Sequence, residues 1–258
     1  MRGEPRPKRC KNAATRGFFL TLIPNFDTLE VSEEPFSALR STAAVLKKDF
    51  ASELRTRYAV NALIMFVVTT MSIILFAFGG ESVSSEVLAG LLWIVIFFAA
   101  MSGLSRTFVS EEERGTTMTL QLLARPGSVY FGKLGFNVVL ILSLSLLIVV
   151  LYLIFISNFV IRSYDIFVAT IVLGSVGLAS ASTVIAAIIA KANTRGTLYP
   201  VLSFPILLPL LLAVIHATKL SMEGMPFAEA MSDFQLLLSY SVVVITASYL
   251  LFDFIWKD

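Results

Sequence analysis

RTFVSEEERGTTMTLQLLARPGSVYFGK, residues 106–133, is the longest polar interruption in an otherwise apolar chain. On both sides of it lie apolar segments that are long enough to cross a bilayer. Ser110 and Glu113 have the spacing of a capping box, which predicts that a helix begins here. Apolar side chains follow, and Pro126-Gly127 is expected to end the helix. A short helix with acidic residues and exposed leucines, tethered at both ends to membrane helices, indicates a docking surface for a partner outside the bilayer.

We call residues 106–126 the docking loop. Its candidate contact residues are an acidic cluster, the two residues after it and an apolar remainder: Glu111, Glu112, Glu113, Arg114, Gly115, Leu120, Leu122, Leu123 and Pro126. The alternative interpretation of the acidic cluster is a solvated helix start, favoured by the helix dipole. The flanking membrane segments and the leucines favour a contact surface, because a merely solvated turn needs no apolar side chains.

The composition indicates a multi-pass membrane protein. Of 258 residues, 57% are hydrophobic and 15% are charged, more apolar side chain than a soluble domain can bury. The single cysteine, Cys10, excludes an internal disulfide and a CxxC site. The single histidine, His216, excludes a metal site built from several histidines of this chain. We expect no metal site, no bound cofactor and no nucleic-acid partner.

The chain before the first membrane segment has two parts. Residues 1–36 are polar and contain four prolines, so disorder or a mis-assigned start is expected. Residues 37–57 are typical of an amphipathic helix that lies at the membrane interface, with its cations toward lipid phosphates. Its apolar stripe consists of Leu39, Ala43, Leu46, Phe50 and Leu54. The alternative is a helix that packs on a partner protein.

Residues 58–258 are predicted to form a permease domain with six membrane-spanning helices. The expected spans are residues 58–78, 87–108, 136–156, 166–190, 198–216 and 236–256. The fold class is therefore an all-α membrane protein with an N-terminal cytoplasmic amphipathic helix. All but Arg162 and Lys219 of the 20 lysines and arginines fall on one side of this arrangement. The positive-inside rule then predicts that both termini and the docking loop are cytoplasmic.

The sequence contains one motif that resembles an ATP site. Residues 127–133, GSVYFGK, have the GxxxxGK spacing of a phosphate loop, but Leu134 replaces the hydroxyl residue that holds magnesium. No strand is expected before the motif, so we interpret it as a chance match. Lys133 is expected to anchor the third span at the lipid headgroups.

Three features inside the spans are candidates for function. His216 lies at the outer end of the fifth span, where it is either a haem or substrate ligand or an ordinary interfacial polar group. Pro200, Pro205 and Pro209 are hinge candidates, although prolines are common in membrane helices. Small residues of the fourth span serve close helix packing or a dimer face: Gly174, Gly177, Ala181 and Ala187.

The last outer loop and the interior of the spans give two further expectations, one about structure and one about the energy source for transport. Residues 217–235 are long enough to hold a short re-entrant or interfacial helix. No span carries an acid or base at mid-depth, whereas ion-coupled carriers usually need one. We therefore expect the energy for transport to come from another chain.

Three stretches resemble the CcmB family, the haem exporter permeases of cytochrome c maturation, and more broadly the ABC-2-type permeases. They are KKDFASELRTRYAVNA, LSRTFVSEEERGTTMTLQLLARPGSVYFGK, and YPVLSFPILLPLLL following KANTRG. The resemblance covers the chain from about Ser37 to its end.

The resemblance implies a transmembrane subunit of an ABC transporter in the bacterial inner membrane, driven by a separate cytoplasmic ATPase subunit. It implies haem as the transported substrate, a haem-handling membrane partner, a periplasmic haem chaperone and a homodimer within the complex. The docking loop around Glu111–Leu123 becomes the ATPase-coupling helix. Two rival functions remain: an ABC-2-type exporter of lipid, drug or polysaccharide, and a non-transporting membrane scaffold.

Overall fold

A computed structural model describes residues 35–55, 57–78, 83–104, 126–191 and 199–257. Within these residues the regular structure is helical. The seven helices are α1 Pro35–Arg55, α2 Arg57–Phe78, α3 Ser85–Leu104, α4 Pro126–Phe155, α5 Tyr164–Lys191, α6 Tyr199–Glu223 and α7 Met231–Lys257. Nearly all of the described structure belongs to one compact unit, Ala38–Asp258. The prediction for residues 1–36 lies outside the described residues, except at Pro35 and Phe36, which are in α1.

The six helices α2 to α7 are each long and apolar enough to cross a membrane, which confirms the predicted number of spans and the all-α class. They run alternately up and down. The ends of α3, α5 and α7 therefore lie with the start of α4 and α6, at what we call the Pro126 end. The opposite end, where α6 finishes, is the Glu223 end.

Helix α5 is the centre of the bundle, because α3, α4, α6 and α7 all pack against it. Its small residues make this possible, as the sequence predicts. A Cβ atom on Gly174 would collide with the Trp93 ring of α3, and one on Gly177 with Leu210 of α6. The small-residue face of the fourth span therefore serves packing within the chain at these glycines. Helix α2 lies at the edge of the bundle, against α3 and α4.

Polar side chains link the spans inside the bundle. The indole N–H of Trp93 in α3 donates to the Thr218 hydroxyl of α6 at 2.9 Å. The Asn137 amide of α4 donates to the Thr183 hydroxyl of α5 at 2.8 Å. Such bonds satisfy polar groups that water cannot reach, and they fix which helix faces meet.

The third span begins earlier than the sequence predicts. Helix α4 begins at Pro126, ten residues before the expected start. Pro126 therefore opens the third span, in the first helical position that proline favours. The GxxxxGK stretch is helical, which rules out a phosphate loop there.

The expectation of a separate re-entrant or interfacial helix in residues 217–235 is wrong. Helix α6 continues to Glu223 and α7 already begins at Met231. Gly224 ends α6 with a φ of 78°, and the Met225 N–H donates to the Leu220 carbonyl at 3.1 Å. This is the helix-ending hydrogen bond that a left-handed glycine permits.

Candidate functional site

The docking loop lies outside the described residues apart from Pro126, so the contacts of Glu111–Leu123 remain predictions. The structure does describe the two helices that the loop connects. Leu104 at the end of α3 is fully buried, and so are Val129 and Tyr130 in the first turns of α4. Tyr130 also lies against Phe252 of α7, with the ring centroids 5.4 Å apart. The helix ends on both sides of the docking loop are therefore anchored in the packed part of the bundle.

Helix α1 packs on the start of α4, beside the loop. The rings of Phe50 and Phe136 meet edge to face with centroids 5.2 Å apart. A Cβ atom on Gly132 would lie 2.8 Å from the Cβ of Val45 and 3.1 Å from the Thr42 carbonyl oxygen. The glycine of the GxxxxGK stretch therefore serves the close approach of α1 to α4.

An ion pair joins the same two helices. Lys133 of α4 is fully buried, and its Nζ lies 3.5 Å from Oδ2 of Asp49 in α1. The other carboxylate oxygen of Asp49 lies 3.3 Å from Nζ of Lys48, which is partly exposed. The prediction that Lys133 anchors the span at the headgroups is wrong, because α1 covers the lysine and supplies its carboxylate partner.

The packed face of α1 is also offset from its predicted apolar stripe. Val45 and Asp49 are buried, Leu46 and Phe50 are half-buried, and Ala43 is exposed. One side of the stripe thus packs against α4 and the other side faces out of the bundle. The sequence signal that could have predicted this contact is Asp49, because a charge at the edge of an apolar stripe needs a partner.

The proline-bearing span is α6. Pro205 and Pro209 lie inside the helix, whereas Pro200 is in its first turn, where proline removes no helical hydrogen bond. The Tyr240 hydroxyl of α7 donates to the Ile206 carbonyl at 3.0 Å, in the turn before Pro209. Helix α7 thus donates a hydrogen bond to the backbone of α6 close to Pro209, where proline removes a helical hydrogen bond. Such bonds from neighbouring helices are one reason why prolines are tolerated in membrane helices. The hinge role of the three prolines stays a prediction, and Pro205 and Pro209 are the two that lie inside the helix.

His216 lies on α6 toward the Glu223 end. Its Nδ1 is 2.8 Å from Oδ2 of Asp233 in α7, and its side chain is about half exposed (55%). Asp233 was not among the predicted site residues. Its pairing with His216 could not be read from helical spacing, because the two residues lie on different helices. One turn further along α6, Nζ of Lys219 lies 3.1 Å from Oε2 of Glu86 in α3.

The described residues contain no group of three or more histidine, cysteine, aspartate or glutamate side chains placed to hold a metal ion. A bare metal ion usually needs three or four protein ligands. The polar residues near His216 therefore offer at most a single strong ligand together with its carboxylate partner.

Comparison with known proteins identifies the family of the chain. The family model for the CcmB protein matches residues 40–252. The match begins within α1, includes the docking loop and both of its flanking helices, and ends within α7. A search of curated proteins finds no match. With a family match over most of its length and six helices that fit a bilayer, the chain belongs to the CcmB family of multi-pass membrane permeases.

Proposed function

We propose that this chain is the permease subunit of an ABC transporter and that a separate cytoplasmic ATPase subunit binds its docking loop. The observation that carries the proposal is the packing on both sides of the loop. The loop leaves the bundle at the buried Leu104 and returns through Pro126 to the buried Tyr130. A push on the loop therefore acts on α3 and α4 at once. Membership of the CcmB family supports the same arrangement.

Helix α1 extends this coupling. Since Asp49 and Lys133 join it to the start of α4, a movement of the docking loop would carry α1 along. Its exposed cations, Arg40, Lys47 and Lys48, suit contact with anionic lipid at the membrane surface. The positive-inside rule supports an orientation with the Pro126 end in the cytoplasm. Membership of the CcmB family supports a location in the bacterial inner membrane.

The substrate that we propose is haem, delivered for the maturation of c-type cytochromes. The support is the CcmB family itself, whose members serve haem export. In this proposal two copies of the chain assemble over two ATPase subunits. A haem-handling membrane protein and a periplasmic haem chaperone complete the complex.

The proposal is tested by purifying the complex from its native membrane and measuring c-type cytochromes in a strain that lacks this chain. We expect an ATP-binding subunit to co-purify and the wild-type chain to restore the cytochromes. Glu113→Ala with Gly115→Leu should reduce co-purification of the ATPase. Glu229→Gln is the matched control, because this exposed acid lies at the Glu223 end.

The outcomes separate the rival functions. An ATPase without any effect on c-type cytochromes would show an ABC exporter of another cargo. Cytochromes restored without an ATPase in the complex would favour a scaffold. Neither result is compatible with the complete proposal.

A further inference from the structure

The pair formed by His216 and Asp233 is the starting point. The two side chains come from different helices, and the 2.8 Å distance between Nδ1 and Oδ2 is that of a strong hydrogen bond. Asp233 is largely buried, with 13% of its side chain exposed, while the imidazole is 55% exposed. The carboxylate thus holds one edge of the ring, and the rest of the ring is accessible from outside the bundle.

This geometry defines which nitrogen is available. When Nδ1 carries the proton and donates it to Asp233, Nε2 presents a lone pair. A histidine whose second nitrogen donates to a carboxylate is the usual form of a metal-binding histidine, because the carboxylate fixes the tautomer and increases ligand basicity. Asp233 is therefore a positioning residue for any ligand that binds Nε2.

The number of ligands selects haem over a bare ion. The described residues place no third metal-binding side chain beside the pair, so a free transition metal would lack a complete coordination shell. Haem iron arrives with four porphyrin nitrogens and needs only axial ligands. One histidine is sufficient for it.

The residues on either side of His216 suit the two halves of a haem molecule. Leu212, one turn toward the middle of the membrane, is exposed (62%) and continues the apolar surface of α6. Lys219, about one turn toward the Glu223 end, carries a cation whose partner Glu86 is itself exposed. An apolar porphyrin edge would lie against Leu212, and a propionate could compete with Glu86 for Lys219.

We propose that His216 Nε2 is an axial ligand of haem iron at the Glu223 end of the bundle, with Asp233 holding the imidazole in place. The inference rests on the proposed function, since haem enters through it. It adds a specific contact: the permease itself binds the iron of its substrate.

The test uses the full chain in lipid nanodiscs, purified with an affinity tag that contains no histidine. The chain has one histidine and one cysteine, so a Cys10→Ser background leaves His216 as its sole imidazole or thiolate ligand. Haemin and metal-free protoporphyrin are titrated separately, and the Soret band is recorded. The comparison isolates iron ligation from apolar binding, because metal-free protoporphyrin takes no axial ligand.

We expect Asp233→Asn to weaken haemin binding about 10-fold, as is typical when the partner of a metal-bound histidine is removed. His216→Ala should weaken it further and shift the Soret band, and added imidazole should restore the wild-type spectrum. Metal-free protoporphyrin should bind all variants equally. Gln235→Ala, an exposed change on the same helix as Asp233, is the control and should leave haemin binding unchanged.

Two results would overturn the inference. One is an unchanged haemin spectrum and affinity in His216→Ala. The other is a wild-type chain that does not bind haemin. In either case, restoration of c-type cytochromes by the wild-type chain is measured independently. The proposed function therefore stands or falls separately from the iron contact.

Discussion

Lys133 and Asp49 lie 84 positions apart in the sequence and form an ion pair that is buried between α1 and α4. Asp49→Asn would leave the fully buried lysine without its carboxylate, and we expect a loss of roughly 3 kcal/mol, the scale seen when one partner of a buried pair is removed. Thermal unfolding of the detergent-solubilised protein measures the loss.

The double variant Asp49→Leu with Lys133→Met should recover most of that stability, because an apolar pair of similar size carries no desolvation cost. Lys48→Met is the control, since Lys48 is partly exposed and pairs with the other carboxylate oxygen of Asp49. A double variant as unstable as the single one would show that the contact depends on the charges of the two side chains and not only on their size.

Gly132 is the place where α1 comes closest to α4. We expect Gly132→Ala to destabilise the protein by about 1–3 kcal/mol, because the new methyl group meets both Val45 and the Thr42 backbone. The change should also make α1 more accessible to protease. Gly90→Ala is a matched control in α3, where a Cβ atom meets nothing within 4 Å. It should be neutral or stabilising by up to about 1 kcal/mol, the difference in helix propensity between the two residues.

The hydrogen bond between Trp93 and Thr218 fastens α3 to α6. A double-mutant cycle with Trp93→Phe and Thr218→Val should give a coupling energy of roughly 0.5–1.5 kcal/mol, the range found for side-chain bonds between membrane helices. Denaturant unfolding of the four proteins in mixed micelles measures it. A coupling energy of zero would mean that the indole N–H finds another acceptor when Thr218 is absent.

Pro209 is expected to lower the stability of α6 and to make this helix more mobile. Pro209→Ala would restore a helical hydrogen bond, so unfolding should shift to higher temperature while c-type cytochrome formation falls. Pro200→Ala is the comparison, because Pro200 lies in the first turn and should change neither quantity appreciably. Normal cytochrome formation in Pro209→Ala would refute the hinge.

The Tyr240 hydroxyl supports the same turn of α6 from outside. Tyr240→Phe removes the 3.0 Å bond to the Ile206 carbonyl and should cost about 1 kcal/mol. In a Pro209→Ala background the loss should be smaller, because the helix can then satisfy more of its own backbone. Equal losses in both backgrounds would show that the contribution of the Tyr240 hydrogen bond does not depend on Pro209.

The number of spans follows from hydrophobic length, which is why the sequence predicts all six helices. Their ends do not follow from it. Helix α4 starts before the apolar run because Lys133 and Gly132 are covered by α1, a contact that no local pattern encodes. Helix α6 continues past His216 because Lys219 and Ser221 find partners on other segments, Glu86 and Ser163.

The same limit applies to the candidate residues: the sequence predicts some of them, but not the partners that they contact. The small residues of α5 predict close packing, and Gly174 and Gly177 confirm it. Their partners, Trp93 and Leu210, are set by the arrangement of helices and could not be read from spacing. His216 was a candidate on its chemistry alone, whereas Asp233 became its partner only when α6 and α7 were placed side by side.

The docking of α1 on Gly132 imposes an order on biosynthesis. Helix α1 leaves the ribosome before α2, α3 and the loop have been made, and its binding surface on α4 does not yet exist. Until Gly132 and Lys133 emerge, the carboxylate of Asp49 must remain in water or beside Lys48 at the membrane surface. A nascent chain that ends before α4 would therefore leave uncovered the face of α1 that carries Val45 and Asp49, and quality-control proteases can recognise such an uncovered face.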